Sequence, residues 1–64
     1  MCLSTAYLNS REEDKIAAKF VDSIEVEGNV ITLTDVLGVK TRIEGSISYV
    51  DLTGGAVVIK TDIA

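Results

Sequence analysis

Residues 20–34, FVDSIEVEGNVITLT, predict a β-hairpin. In the first half of this stretch apolar and polar side chains alternate, and the apolar positions are Phe20, Ile24 and Val26. A period of two is typical of a strand with one buried face. Gly28-Asn29 is a two-residue turn signal, and the β-branched residues after it favour a second strand. We therefore expect two paired strands, with the apolar side chains of the first strand on its buried face.

The rest of the chain continues this pattern of short strands and turns. Four further stretches have the alternation or the composition of strands: residues 2–8, 39–44, 46–52 and 56–61. Gly38 can adopt a positive φ in a connection, Gly45 indicates a bulge or a sharp bend, and Thr53-Gly54-Gly55 is a hairpin signal. Short strands at about ten-residue spacing predict an all-β fold, a small sandwich or barrel. A barrel closes its own edges, which suits a chain too short to cover them otherwise.

Residues 11–20 allow two interpretations. Ser10 followed by Glu13 matches a helix capping box, and the residues after Ser10 are good helix formers. A helix this short is marginal alone. Residues 15–20 would equally complete a β-meander after a turn at Asn9-Ser10.

The length of the chain limits how it can be stabilised. Sixty-four residues predict one small domain, residues 1–64, and such domains bury only about 60% of their unfolded surface. A single cysteine cannot form an internal disulfide, which leaves tight packing, a bound metal or oligomerisation. The 47% apolar content is ample for an aliphatic core. A lone thiol, with neither a signal peptide nor a membrane span, leads us to expect a cytoplasmic protein.

Charge and residue usage argue against two functional classes. The formal charge is −4 and the six basic residues are scattered, whereas phosphate-backbone binding needs clustered Lys and Arg. Nucleic-acid binding is therefore disfavoured, although Lys40 and Arg42 form a local basic pair.

The chain contains no histidine, which excludes a Ser-His nucleophilic pair, and we expect no enzyme activity. Asp22, Asp35 and Asp51 each stand near a turn, where Asp commonly bonds backbone amides.

Cys2 is the most informative residue for function, because it is the only cysteine and directly follows Met1. Removal of Met1 would leave a free α-amine beside the thiol, and the two groups could chelate a soft divalent metal such as nickel, copper or zinc. Metal binding would deprotonate both groups. The competing interpretation is a small buried hydrophobe, since free Cys is among the most buried residue types.

One chain supplies only two such ligands. Two chains whose N-termini meet at a dimer axis would supply two nitrogens and two sulfurs. Ni(II) and Cu(II) both accept a planar set of this kind. The deprotonated backbone amide of Leu3 is an alternative nitrogen donor.

The first residues, Met1-Cys2-Leu3-Ser4-Thr5-Ala6-Tyr7, resemble the opening of the CooT-type small nickel-binding proteins. The similarity continues through residues 21–28, 30–38 and 47–52. It therefore covers most of the chain, and the Met-Cys start is its specific element. Between Arg11 and Lys19 the sequence departs from the family, where a glycine-containing turn would be expected.

The resemblance implies a fold, an assembly and a role. Family members are β-rich SH3-like barrels, which here implies about six to seven short strands and favours strand over helix for residues 11–20. They form homodimers that bind one nickel(II) ion through their N-terminal cysteines, and they assist maturation of nickel enzymes such as carbon monoxide dehydrogenase. The resemblance therefore implies that Cys2 is a metal ligand, and it implies a functional role for no other residue.

Two hypotheses follow. The first is a homodimeric nickel-binding accessory protein, a metallochaperone or a nickel store, that uses Cys2 of each subunit. The second is a small-barrel RNA-binding or protein-interaction module in which Cys2 is only structural. RNA binding of that kind would weaken with salt and depend on Lys40 and Arg42.

Overall fold

Six strands form one sheet in the computed structural model, which describes residues 3–62. The strands are β1 (Ser4–Leu8), β2 (Ile16–Glu27), β3 (Val30–Asp35), β4 (Lys40–Glu44), β5 (Ser46–Asp51) and β6 (Ala56–Lys60). Their order across the sheet is β4-β3-β2-β1-β6-β5. The β1–β6 pair is parallel and every other neighbouring pair is antiparallel. The predicted all-β fold is confirmed, with six strands.

The predicted hairpin of residues 20–34 is present as β2 and β3. Glu27 lies opposite Val30 across the turn, and Gly28 has φ +61°, a conformation that glycine adopts at little cost. The strand expected at residues 2–8 begins at Ser4 in the described part of the chain, and its start at Cys2 lies outside the described residues.

The expected buried face of β2 was wrong at two positions. Phe20 is 60% exposed and Val26 is 56% exposed, whereas Val21 is buried. Phe20 has φ +56°, and a register irregularity follows between Val21 and Ser23. One extra residue in a strand moves the following side chains to the opposite face. Val26 lies beyond the part of β2 that pairs with β1, so only β3 flanks it.

Within residues 11–20, the second half is strand and no α-helix forms. A single 3₁₀ turn spans Glu13–Lys15, and β2 begins at Ile16. The capping box does not form: Ser10 Oγ donates to Glu12 Oε2 at 3.0 Å instead. Asn9, before this stretch, has φ +68°, a conformation that Asn tolerates, and residues 11–19 contain no glycine, although β1 and β2 pair as a hairpin. The first hairpin therefore forms without the glycine.

The core is aliphatic. Its buried members are Ala6, Val21, Ile31, Leu33, Val57 and Ile59. They come from four strands, β1, β2, β3 and β6, so the core holds together residues that are far apart in sequence. Ile24 and Ile43 pack against it from β2 and β4.

Gly45 joins the two edge strands of the sheet, β4 and β5, and so brings the edges together. Its N–H donates to the Asn29 carbonyl at 2.8 Å, and a Cβ at this position would overlap the Lys60 carbonyl oxygen. Within residues 3–62 no ladder connects β4 to β5. The sheet is thus barrel-like, but hydrogen bonds between its two edge strands do not close it.

Candidate functional site

Cys2, the predicted metal ligand, lies outside the described residues. The structure does show how the residues after it, from Leu3 to Thr5, contact the rest of the sheet. Ser4 lies opposite Val21 in β2, and Thr5 donates its N–H to the Gly55 carbonyl at 2.8 Å. A Cβ at Gly55 would lie 3.2 Å from the Leu3 carbonyl oxygen. The segment that leads from Cys2 into β1 is therefore held between β2 and the β5–β6 turn.

The β5–β6 turn beside Leu3 is shaped by Asp51. Its Oδ1 accepts the Gly54 N–H at 2.8 Å, and its Oδ2 accepts a hydrogen bond from Arg11 Nη1 at 3.0 Å. The bond from the Gly54 amide and the bond from Arg11 hold the pKa of Asp51 below its ordinary value. The hydrogen bond to Asp51 raises the pKa of Arg11. This contact ties the β1–β2 connection to the turn.

The predicted role of aspartates near turns is confirmed for Asp51 and also for Asp35. Asp35 Oδ1 accepts the N–H groups of Leu37 and Val39 at 2.9 and 3.0 Å. This side chain holds the β3–β4 turn, in which Gly38 has φ +86°. A single carboxylate thus accepts hydrogen bonds from two backbone amides of this turn.

Exposed apolar side chains gather at the end of the barrel where Leu3 lies. We call this set the apolar rim; it consists of Leu3, Phe20, Val36, Leu37, Val39 and Leu52. The sequence analysis did not identify it. The sequence feature that could have indicated it is the presence of a large aliphatic residue in each of two turns. These residues are Leu37 and Leu52, and turns usually carry polar residues at such positions.

The described residues contain no second candidate for metal binding. Between positions 3 and 62, no three His, Cys, Asp or Glu side chains come together in a way that could hold a metal ion. The assignment of Cys2 as the thiolate ligand of a soft metal stays a prediction.

Lys40 and Arg42 lie on one face of β4, as predicted, but carboxylates share that face. Arg42 lies opposite Thr32, which lies opposite Glu25, and Glu25, Glu27 and Arg42 line a groove of about 410 Å³. Lys40 Nζ donates to Thr34 Oγ1 at 3.1 Å. Neighbouring carboxylates lower the positive potential that a phosphate backbone requires, so this surface does not favour RNA binding.

Comparison with known proteins identifies one family. The family model described as CO dehydrogenase accessory protein CooT matches residues 1–60 of the 64-residue chain. The matched region includes Cys2. No curated protein matches the chain. No helix within residues 3–62 is long and apolar enough to cross a membrane.

Proposed function

This chain belongs to the CooT family of CO dehydrogenase accessory proteins, and from that membership we propose that it binds Ni(II) through Cys2 of each subunit of a homodimer. The family gives the chain an accessory role, not a catalytic one. In our proposal the protein is a metallochaperone or nickel store for maturation of the nickel enzyme, with the metal as its cargo. It acts in the cytoplasm, where a lone thiol stays reduced.

The family match over residues 1–60 carries this proposal, because it begins at residue 1 and so includes Cys2. The donor chemistry agrees with it. A thiolate and an amine on one residue form a five-membered chelate ring, and two copies complete a four-coordinate set that Ni(II) accepts. The Leu3 amide is the alternative nitrogen donor if Met1 is retained.

The anchoring of the first residues also supports the proposal. Thr5 is hydrogen-bonded to Gly55 and Ser4 is paired with Val21, so the backbone is held two residues after the proposed ligand. A ligand carried on a held segment loses less conformational freedom on binding than one on a free tail. Between residues 3 and 62 no group of three or more His, Cys, Asp or Glu residues could hold a metal ion.

The test is a titration of Ni(II) into the wild-type protein and Cys2→Ala. We expect thiolate-to-nickel charge-transfer absorption in the wild type, with one Ni(II) per two chains, and none in Cys2→Ala. Intact mass spectrometry of the same samples reports whether Met1 has been removed. Equal nickel binding by the two proteins would refute Cys2 as the ligand.

Retention of Met1 provides a second readout. If the α-amine of Cys2 is a ligand, protein that keeps Met1 should bind Ni(II) more weakly than processed protein, because its amine is part of a peptide bond. If the Leu3 amide is the nitrogen donor, both forms should bind Ni(II), because the Leu3 amide is the same in both and loses its proton on metal binding.

A further inference from the structure

The two adjacent glycines of the β5–β6 turn, Gly54 and Gly55, each lie against a residue outside the turn. A Cβ at Gly55 would lie 3.2 Å from the Leu3 carbonyl oxygen and 3.9 Å from the Ser4 Cα. The first of these distances is shorter than an ordinary van der Waals contact, so a side chain at this position would displace Leu3. The backbone of Gly55 thus approaches the N-terminal segment closely because it carries no Cβ.

Gly54 makes room for the ion pair that holds the turn. A Cβ at this position would lie 2.5 Å from Asp51 Oδ2 and 2.9 Å from Arg11 Nη2. The Gly54 N–H also donates to Asp51 Oδ1 at 2.8 Å. Asp51 therefore fixes the turn internally and, through Arg11, ties it to the β1–β2 connection.

The turn fixed in this way contacts the residues that follow Cys2. The Gly55 carbonyl accepts the Thr5 N–H at 2.8 Å, and the Leu3 carbonyl lies against Gly55 on the same segment. Consecutive Cα atoms are about 3.8 Å apart across a trans peptide bond. A displacement of Leu3 therefore moves the positions that Cys2 can occupy.

We propose that Gly55 is a positioning residue for the nickel site, and that its backbone sets the direction in which the chain leads from β1 to Cys2. The inference rests on the proposed function, in which Cys2 is the ligand. Groups that orient metal ligands without binding the metal typically change its affinity about 10–100-fold when they are altered. Asp51 acts one step further away, because it holds the turn that carries Gly55.

The experiment measures the Ni(II) dissociation constant, by competition with a chromophoric chelator, for wild type, Gly55→Ala and the matched control Gly28→Ala. Both glycines have a left-handed backbone, with φ +69° and +61°, so alanine introduces the same kind of strain at each. Nothing lies within 4 Å of a Cβ at Gly28. The two variants therefore share the backbone cost and differ in the contact with Leu3. Circular dichroism of the metal-free proteins confirms that each variant is folded.

We expect Gly55→Ala to raise the nickel dissociation constant about tenfold or more, and Gly28→Ala to change it by less than about twofold. At saturating nickel the thiolate-to-nickel charge-transfer band should shift in Gly55→Ala and not in Gly28→Ala, because only the first variant changes the geometry of the ligands. A general loss of stability would not move that band. Equal dissociation constants and identical bands in the two variants overturn the inference.

A second pair of variants tests the turn without adding a Cβ beside Leu3. Asp51→Ala removes both the acceptor of the Gly54 N–H and the partner of Arg11, whereas Asp51→Asn keeps an acceptor oxygen for Gly54. We expect Asp51→Ala to weaken nickel binding and Asp51→Asn to restore part of the affinity. Wild-type affinity in Asp51→Ala would show that the turn does not position the site through this carboxylate.

Hydrogen exchange of the Thr5 amide, measured by NMR without metal, tests the contact itself. Thr5 donates to the Gly55 carbonyl, so its amide should exchange faster in Gly55→Ala than in Gly28→Ala, and equal rates contradict the proposed role of Gly55. The two proposals fail separately. If Cys2→Ala loses nickel while Gly55→Ala binds like Gly28→Ala, Cys2 stays a ligand and the positioning role is wrong. If wild type and Cys2→Ala bind nickel equally, the proposed metal site is wrong and so is the assignment of Gly55 to it.

Discussion

Substitution of Gly45 by alanine should destabilise the whole barrel, because this glycine lies where the edges of the sheet meet. An added Cβ would overlap the Lys60 carbonyl oxygen and would lie 3.2 Å from the Lys60 carbonyl carbon and 3.3 Å from the Thr61 Cβ. Backbone atoms of β6 cannot move aside as a flexible side chain does. Either β6 shifts, or Gly45 moves away from the Asn29 carbonyl that it bonds at 2.8 Å.

The magnitude follows from those contacts. Insertion of a methyl group into a closely packed site costs about 1–3 kcal/mol, and loss of the hydrogen bond to Asn29 costs about 1 kcal/mol. The smaller entropy of an unfolded chain with alanine offsets about 0.4–1 kcal/mol. We expect a net loss of about 2–3 kcal/mol in the free energy of unfolding. A 64-residue domain has only about 3–10 kcal/mol in total.

Thermal and urea unfolding by circular dichroism, at one protein concentration, would measure the loss. A change of 2–3 kcal/mol corresponds to a Tm decrease of roughly 10–20 °C for a domain of this size. Gly28→Ala is the matched control: Gly28 has φ +61° but nothing within 4 Å of a Cβ. The free energy of unfolding of Gly28→Ala should fall by only about 1 kcal/mol, which is the cost of placing alanine in a left-handed conformation. The reasoning is refuted if Gly45→Ala is no less stable than Gly28→Ala.

Two further predictions concern the turn and the core. Because the folded protein lowers the pKa of Asp51 through the Gly54 amide and Arg11, the stabilising effect of its carboxylate is present above the ordinary pKa of 3.8 and is lost as pH falls through the lower folded value. The stability difference between wild type and Asp51→Asn in urea titrations should therefore be constant from about pH 5 to 7 and should shrink below about pH 4; a difference that grows there contradicts the assigned contacts. Leu33→Ala should lower the free energy of unfolding by about 2–5 kcal/mol, since Leu33 is 1% exposed. Val26→Ala, at an exposed site, should cost far less, and equal losses would show that the assigned core is wrong.

Much of the fold was predictable because its signals are local. Gly28-Asn29 sets a turn through the φ preference of glycine, and the β-branched run after it favours a strand whatever lies beside it. The turn roles of Asp35 and Asp51 were predictable for the same reason, since each carboxylate bonds amides within four residues. Cys2 was identified by its position in the chain alone, and its role as a ligand stays a prediction.

The errors arose where neighbours in space overrule the local pattern. The alternation of apolar and polar residues assigned Phe20 to the buried face of β2, but its side chain is exposed. β2 pairs with β1 on one side and with β3 on the other. The register irregularity between Val21 and Ser23 changes which side chains of β2 face the core. The alternation of side chains within residues 20–27 does not reveal this irregularity, because it depends on the strands that pair with β2.

The sequence by itself determined the all-β class, the turns, the resemblance that identifies the family and the cysteine proposed to bind nickel, because each depends on residue identity and short-range conformational preference. Tertiary structure alone decided the remaining features. Parallel pairing of β1 with β6 joins residues about 50 positions apart; it places Leu3 beside the β5–β6 turn. The same pairing, with the positive φ of Phe20 and the irregularity after it in β2, places the six apolar residues of the rim, which come from four separate segments, at one end of the molecule. Such a surface exists only after long-range strand pairing, since hydrophobic contact depends on distance in space and not on distance along the chain.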